Sequence, residues 1–286
     1  MELYVPSGSR KLSDVKSIPQ IRLGIQGFPG SGKTWSGLTF PNPVVANCDR
    51  GLGAHFGRAD VTEIPFYDPE FCKSQMAVKG ANYFPHMLKD IITRWLEKEA
   101  PLLTPDQTLV WDGNTGMQNA YHRWYEKNKV ITSDGSHDSR AEWGLKKKYY
   151  AEVIEMLKAL RCHVVFIAHE AEKKEKDGEY RGKVRPLLSG SFGDELVGHF
   201  TDWFRQIAVD KPTSIDAVTP VELLKFGMDK ATYKAFVESF PRNTMYYWQT
   251  ESDNVYDGKC SSLTNFPRFV PANYETFIKY RRKIST

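Results

Sequence analysis

The stretch IRLGIQGFPGSGKT, residues 21–34, decides how the whole chain is read. Ile21, Leu23 and Ile25 alternate with polar or small residues, which predicts a short buried strand. A glycine-rich turn follows and ends in Lys33-Thr34, completing the spacing G-x-x-x-x-G-K-[ST]. Glycines let successive backbone N–H groups turn inward around a polyphosphate without Cβ clashes. A helix starting near Lys33 aims its positive dipole end at the same anion. Lys33 then serves the β- and γ-phosphates, and the Thr34 hydroxyl serves Mg²⁺. The expected phosphate-binding set is Gly27, Phe28, Pro29, Gly30, Ser31, Gly32, Lys33, Thr34 and Trp35.

Outward from this motif, the chain has 286 residues, 41% of them hydrophobic and 13% aromatic, enough for one large domain or two small ones. The net charge of +4 is mild, so any nucleic-acid surface must be local. No apolar run reaches membrane-spanning length, and MELYVPSGSRKLSD lacks the apolar centre of a signal peptide. Cys48, Cys72, Cys162 and Cys260 are scattered with no C-x-x-C pair. They read as reduced packing thiols of a cytoplasmic protein, not as metal ligands or a disulfide frame.

Residues 1–20 read as an N-terminal arm, either laid on a neighbouring subunit or loosely ordered. Strands are expected at 43–49 (PVVANCD), 61–66, 108–112 (TLVWD), 163–170 (HVVFIAHE), 202–209 and 244–251. Helices are expected at 86–99, 140–161, 191–202, 220–239 and 272–283. In the first of these Met87, Leu88, Ile91, Ile92, Trp95 and Leu96 share the inward face, and in the second Lys146 to Lys148 face solvent. Residues 113–139 read as a long loop or broken helix, and 170–189 as a charged loop. Thr219-Pro220-Val221-Glu222 carries an N-cap, a first-turn Pro and a carboxylate three residues on. The alternation predicts an α/β fold, a mostly parallel sheet with helices on both faces. Its core spans 21–275 with a small helical insertion at about 217–241, followed by a basic tail at 276–286. Ligands sit at the carboxyl ends of strands in such sheets, and Gly27, Asp49, Asp112 and His169 all fall there.

Asp112 closes an apolar strand and is the expected acid of the Mg²⁺ shell, beside Thr34. Motor ATPases of the AAA+ type place a Glu directly after that acid, where this chain has Gly113. The group that orients or deprotonates water must then come from a neighbouring strand. Asp49 is the candidate, its other reading being a solvated strand-end carboxylate. His169 is either a sensor of the γ-phosphate or a core-edge histidine satisfied by backbone.

In this order the elements resemble the RecA recombinase core. RAEWGLKKKYYAEVIEMLKALRCHVVFIAHE, from residue 140, is similar to that family's helix and sensor strand between its two DNA-binding loops. His169 departs from the family's usual Gln, and Asp49 from its usual Glu. More closely, GFPGSGKT, NCDRGLGAHF, HEAEKKEKDGEYRGKVRPLLSG and VYDGKCSS resemble bacteriophage RecA-like ATPases of the Sak single-strand-annealing group, over about residues 20–275. The resemblance implies ATP and Mg²⁺ as cofactors, hydrolysis coupled to binding of single-stranded DNA, and a homo-oligomeric ring or filament. It also implies the cytoplasm of a host, if phage-encoded, and a single-strand-binding protein as a further partner. The first implied DNA loop, 114–140, holds Tyr121, Arg123, Trp124, Lys127 and Lys129. The second, 170–190, holds Lys173, Lys174, Lys176, Tyr180, Arg181, Lys183 and Arg185. Basic residues interleaved with aromatics suit backbone tracking and base stacking. Residues 170–185 nevertheless hold six basic and five acidic side chains, which keeps a plain solvated loop open. A catalytic cation from the adjacent subunit is implied as well; Lys259 is the candidate, against an ordinary surface lysine. FIKYRRK, 277–283, either touches DNA or is simply exposed. Two other functions stay open, a P-loop nucleotide or polynucleotide kinase and a non-hydrolysing assembly switch.

Overall fold

The computed structural model describes residues 20–55, 57–68, 70, 71, 89, 92, 93, 96, 103–118, 135, 138–174, 180–188, 192–240, 242–253, 256, 258–261 and 267–282. In chain order the elements are β1 Arg22–Gly27, α1 Lys33–Gly37, β2 Pro43–Asn47, β3 Thr62–Pro65, β4 Thr108–Asp112, α2 Ser139–Ala159, β5 His163–Lys174 and β6 Tyr180–Pro186. They continue as α3 Phe192–Leu196, β7 Asp202–Asp210, α4 Pro220–Phe226, α5 Lys230–Glu238, β8 Thr244–Gln249, β9 Lys259–Cys260, β10 Phe269–Pro271 and α6 Tyr274–Arg282.

The strands order as β10-β8-β7-β1-β5-β4-β2-β3. From β7 to β3 the pairing is parallel, while β8 and β10 run antiparallel at one edge. This is the α/β core of a P-loop NTPase, and its register builds the site. Gly27 lies opposite His169, and Asn47 opposite Asp112, so β1, β4 and β2 end on the same side of the sheet, where β5 passes His169.

Both faces of the sheet are covered, which is why its strands read as continuous apolar runs. On one face, Tyr150, Val153, Ile154 and Leu157 of α2 pack on Trp111, Val164, Phe166 and Trp203. Their i, i+3, i+4, i+7 spacing made this helix legible. Its last turn is tied down by Arg22, whose guanidinium donates to the carbonyls of Lys158 at 3.0 Å and Cys162 at 2.8 Å. On the other face, Ile21, Leu23, Ile25, Val165 and Phe204 meet Leu38, Phe40, Phe277 and Ile278. The helical insertion has a small core of its own, Tyr233, Phe236 and Phe240 against Met245, Tyr247 and Phe269.

Several expectations change. The segment after His169 is not a loop: β5 continues to Lys174 and pairs antiparallel with β6, Glu170 opposite Pro186. The helix expected at 191–202 splits into α3 and a 3-10 turn at Val197–His199. The insertion is two helices, with Thr219 and Glu222 forming the anticipated capping box and Asp229 capping the second. β9 and β10 were not expected. Within 86–99, Lys89, Ile92, Thr93 and Leu96 are helical; Ile92 is buried, but Leu96 is 37% exposed instead of inward. Met87, Leu88, Ile91 and Trp95 lie outside the described residues, as do 1–19. Lys146 is buried, not solvent-facing. The tail expected from 276 begins inside the core, because Phe277 and Ile278 are buried there. No described helix is long and apolar enough to cross a membrane.

Candidate active site

The turn after β1 adopts the cradle that its glycines permit. Gly30 and Gly32 have φ of +79° and +80°. At Gly32 no other residue fits, since a Cβ would stand 2.6 Å from the Tyr246 ring. The Lys33 ammonium is buried and donates to the carbonyls of Gly27 at 2.9 Å and Phe28 at 2.8 Å. Burial pushes its pKa down to about 8, against the pull of Asp112, Glu170 and Asp49. From β7, Gln206 fixes the turn: its side-chain amide donates to the Ser31 carbonyl at 2.9 Å and accepts from Trp248 Nε1 at 3.1 Å.

The carboxylates arrive from adjacent strand ends. Thr34 Oγ1 donates to Asp112 Oδ2 at 2.6 Å, so the two groups expected to share a metal already touch. Burial pushes the Asp112 carboxyl up, opposed by that hydrogen bond. The Cys48 N–H donates to the Asp112 carbonyl at 2.9 Å, which carries the next residue, Asp49, over the end of β4. Gly113 has φ +90°, and a Cβ on it would lie 2.8 Å from Asp49 Cγ. A Glu after Asp112 therefore has no room beside Asp49, whose carboxylate enters the cleft from the β2 side.

Asp49 is partnered at its strand end. His169 beside it, with Nε2 4.0 Å from Asp49 Oδ2, holds its carboxyl below the usual carboxylate range against burial. The Gly51 N–H, 3.0 Å from Oδ1, and Lys33 add to the lowering. The His169 ring is not satisfied by backbone either, because its buried Nδ1 has no hydrogen-bond partner among the described residues. Its main-chain carbonyl instead accepts the Leu187 N–H at 2.6 Å, where the β5–β6 hairpin closes.

Behind this wall lies a buried ion pair that sequence reasoning missed. Glu170 accepts from Arg205 Nε at 3.0 Å and Nη2 at 2.9 Å, and from Gln26 Nε2 at 3.4 Å. Gln26 Oε1 in turn accepts from Trp203 Nε1 at 2.7 Å. The signal was present as Gln and Arg inside otherwise apolar strands, since a buried polar group needs a partner.

One cleft of about 630 Å³ gathers Lys33, Thr34, Trp35, Asp49, Asp112 and His169. It adds His55, Arg58, Arg242 and Tyr246, none of them singled out from sequence. Trp35 and Tyr246 touch, with ring centroids 5.6 Å apart. Lys259 is not in this cleft: it pairs opposite Trp203, and its ammonium donates to the Phe200 carbonyl at 2.7 Å. As a cation expected to serve the adjacent subunit, Lys259 need not line the cleft of its own chain. Lys173 and Lys174 fall on β5, and Arg181, Lys183 and Arg185 on β6. Tyr121, Arg123, Trp124, Lys127, Lys129 and Lys176 lie outside the described residues.

The donor set fits a magnesium nucleotide. Among the described residues no three His, Cys, Asp or Glu gather to hold a metal. Mg²⁺ needs none, because it keeps waters and takes one or two protein oxygens beside the phosphates. Fold and cleft together define a P-loop ATPase domain. An AAA domain family model, AAA_24, matches residues 20–237, and the chain belongs to this family. No curated protein matches. Among solved structures, the chain is similar to the assembled ATPase EscN, in complex with its central stalk EscO, from the type III secretion system of enteropathogenic E. coli. That match has TM-score 0.32 and 11% identity, over 65% of this chain and 42% of that one. A prototypical ATPase from the type III secretion system of pathogenic bacteria matches with TM-score 0.34 and 13% identity, over 74% of this chain and 57% of that one. The chain thus spans less than two thirds of either.

Proposed function

We propose that this AAA-type ATPase hydrolyses MgATP to control binding of single-stranded DNA in recombination of the phage type, as a homo-oligomer. The observation that carries the reading is β5 itself. One strand places His169 in the cleft and then continues into the hairpin that bears Lys173, Lys174, Arg181, Lys183 and Arg185. Nucleotide and DNA would thus act on a single length of backbone.

In the cleft, the inward amides of the 27–34 turn and Lys33 hold the phosphates, and Thr34 with Asp112 holds the metal. Bound there, the metal ion neutralises charge on the phosphoryl oxygens. Asp49 is ionised at neutral pH, so its carboxylate accepts a hydrogen bond from water and orients it for attack. His169 bears on that carboxylate from one side and, through its main-chain carbonyl, on the hairpin from the other. A change at Asp49 is thereby felt at Leu187.

The test is phosphate release by the full chain with and without single-stranded DNA, beside labelled-phosphate transfer to nucleosides and DNA ends. Release stimulated by DNA is expected. Transfer to an acceptor would replace this reading with a kinase, and neither activity would leave an assembly switch.

A further inference from the structure

The cleft contains a cation that the reading above does not use. Arg242 lines it from the connection between α5 and β8. The other cations nearby are engaged: Lys33 by the Gly27 and Phe28 carbonyls, Arg58 by Asp60, and Arg205 by Glu170. Arg242 is exposed and has no ion pair among the described residues.

The backbone that carries it is nonetheless held in place. Lys211, just past β7, donates its backbone N–H to the Asn243 carbonyl at 2.6 Å and its ammonium to the Phe240 carbonyl. These contacts pin the chain on both sides of Arg242. The two-helix insertion, packed through Phe236 and Phe240 onto Met245 and Tyr247, backs the connection. Four residues further along, Tyr246 rests on Gly32 of the phosphate cradle, so the same stretch touches the turn that holds the anion.

Charge points to the occupant. Lys33, Arg58 and Arg242 line the cleft with the carboxylates Asp49 and Asp112, and Arg58 is already paired with Asp60. Burial holds the His55 imidazole below its ordinary pKa, and the charges of Arg58 and Arg242 add to the lowering, so Arg242 bears on the cleft lining. A guanidinium that faces a cavity without a carboxylate partner among the described residues favours an anion there.

We propose that Arg242 is a phosphate-binding residue of the ATP site, supplied by the same subunit through the helical insertion. The proposal rests on the reading of the cleft as an ATP site. It places a catalytic-site cation within the chain itself and makes the insertion a part of the nucleotide site.

The test measures binding of ATP and of inorganic tripolyphosphate, both with Mg²⁺, to the full chain and to Lys33→Ala, Arg242→Ala and Arg242→Lys. Arg242→Ala should weaken both ligands about tenfold, the loss of a charge-assisted hydrogen bond, with Arg242→Lys in between. Lys211→Ala, which only frees the connection, should weaken both by about threefold. Loss of ATP but not tripolyphosphate binding would mean contact with the base and overturn the proposal. Affinity within twofold of the unaltered chain for both ligands would overturn it too, while Lys33→Ala still losing ATP would leave the ATP site standing. If the unaltered chain binds neither ligand, or Lys33→Ala binds equally well, the ATP reading fails and takes this proposal with it.

Discussion

The two walls of the nucleotide cleft are built in different ways. Asp112 and Asp49 stand at or just past the ends of β4 and β2, and His169 where the parallel pairing of β5 with β1 stops, so main-chain register sets their spacing. Arg242 and Tyr246 come from the antiparallel strand β8 and the connection before it, held by aromatic packing and by Lys211. The first wall is rigid because ladder hydrogen bonds cannot slip without turning every side chain over. The second depends on packing of an inserted unit, which tolerates rearrangement. Chemistry is therefore expected to fail when the first wall is altered, and binding when the second is.

The most damaging change should be at the junction of the two walls. Lys33→Ala removes the cation that stabilises charge on the transferred phosphoryl group, and phosphate release should fall by about a thousandfold or more. Normal turnover in that variant would break the comparison outright. Asp49→Asn tests the strand-end wall alone: kcat should drop about a hundredfold while ATP affinity stays within about twofold. Gly113→Ala sharpens the same point without touching a functional group. Its Cβ presses on Asp49 and its φ of +90° is strained, so kcat should fall about tenfold, with a lower melting temperature. An unaltered kcat would show that Asp49 does not need its present place.

The pH response comes next in size. Free Lys33 titrates at about 8, and pairing with phosphate favours its charged form, so binding takes up a proton above that pH. ATP affinity should be flat below about pH 8 and fall about tenfold per unit above it, in calorimetry across buffers. A flat profile to pH 10 would place the titrating ammonium outside the phosphate contact. Smallest of all, Gln206→Leu frees the Ser31 carbonyl and the Trp248 indole; it should raise the Kd for ATP about fivefold and leave kcat nearly unchanged. A kcat loss as large as that of Asp49→Asn would erase the distinction between the walls.

The same contrast explains what the sequence disclosed. An apolar run ending in an acid or a histidine is a one-dimensional pattern, so TLVWD and VVFIAH located Asp112 and His169 directly. Gly113 pointed away from its own position to a neighbouring strand, and the structure brings Asp49 within 2.8 Å of where its Cβ would stand. Arg242, Arg58 and His55 offered no such pattern; they reach the cleft through connections whose path only the packed insertion and the β2–β3 crossing decide. The extension of β5 was hidden for another reason. EAEKK and the strand that returns beside it are charged, and the antiparallel pairing there does not depend on an apolar face. Asp177-Gly178 between them was the available hairpin signal. For Lys259 the sequence is silent, because a lysine near a late strand looks the same whether it reaches a neighbour or, as here with Phe200, donates to a carbonyl of its own chain.

β5 also has a mechanical consequence. A paired strand is stiff along its length, and from His169 to Lys174 it advances roughly 15 Å. A tilt of about 5° at the histidine would carry the far end through about 1 Å, enough to make or break a hydrogen bond. Small adjustments around the carboxylate pair would thus be magnified with distance, and the hairpin would act as the long arm of a lever pivoting where β5 leaves Gly27 of β1.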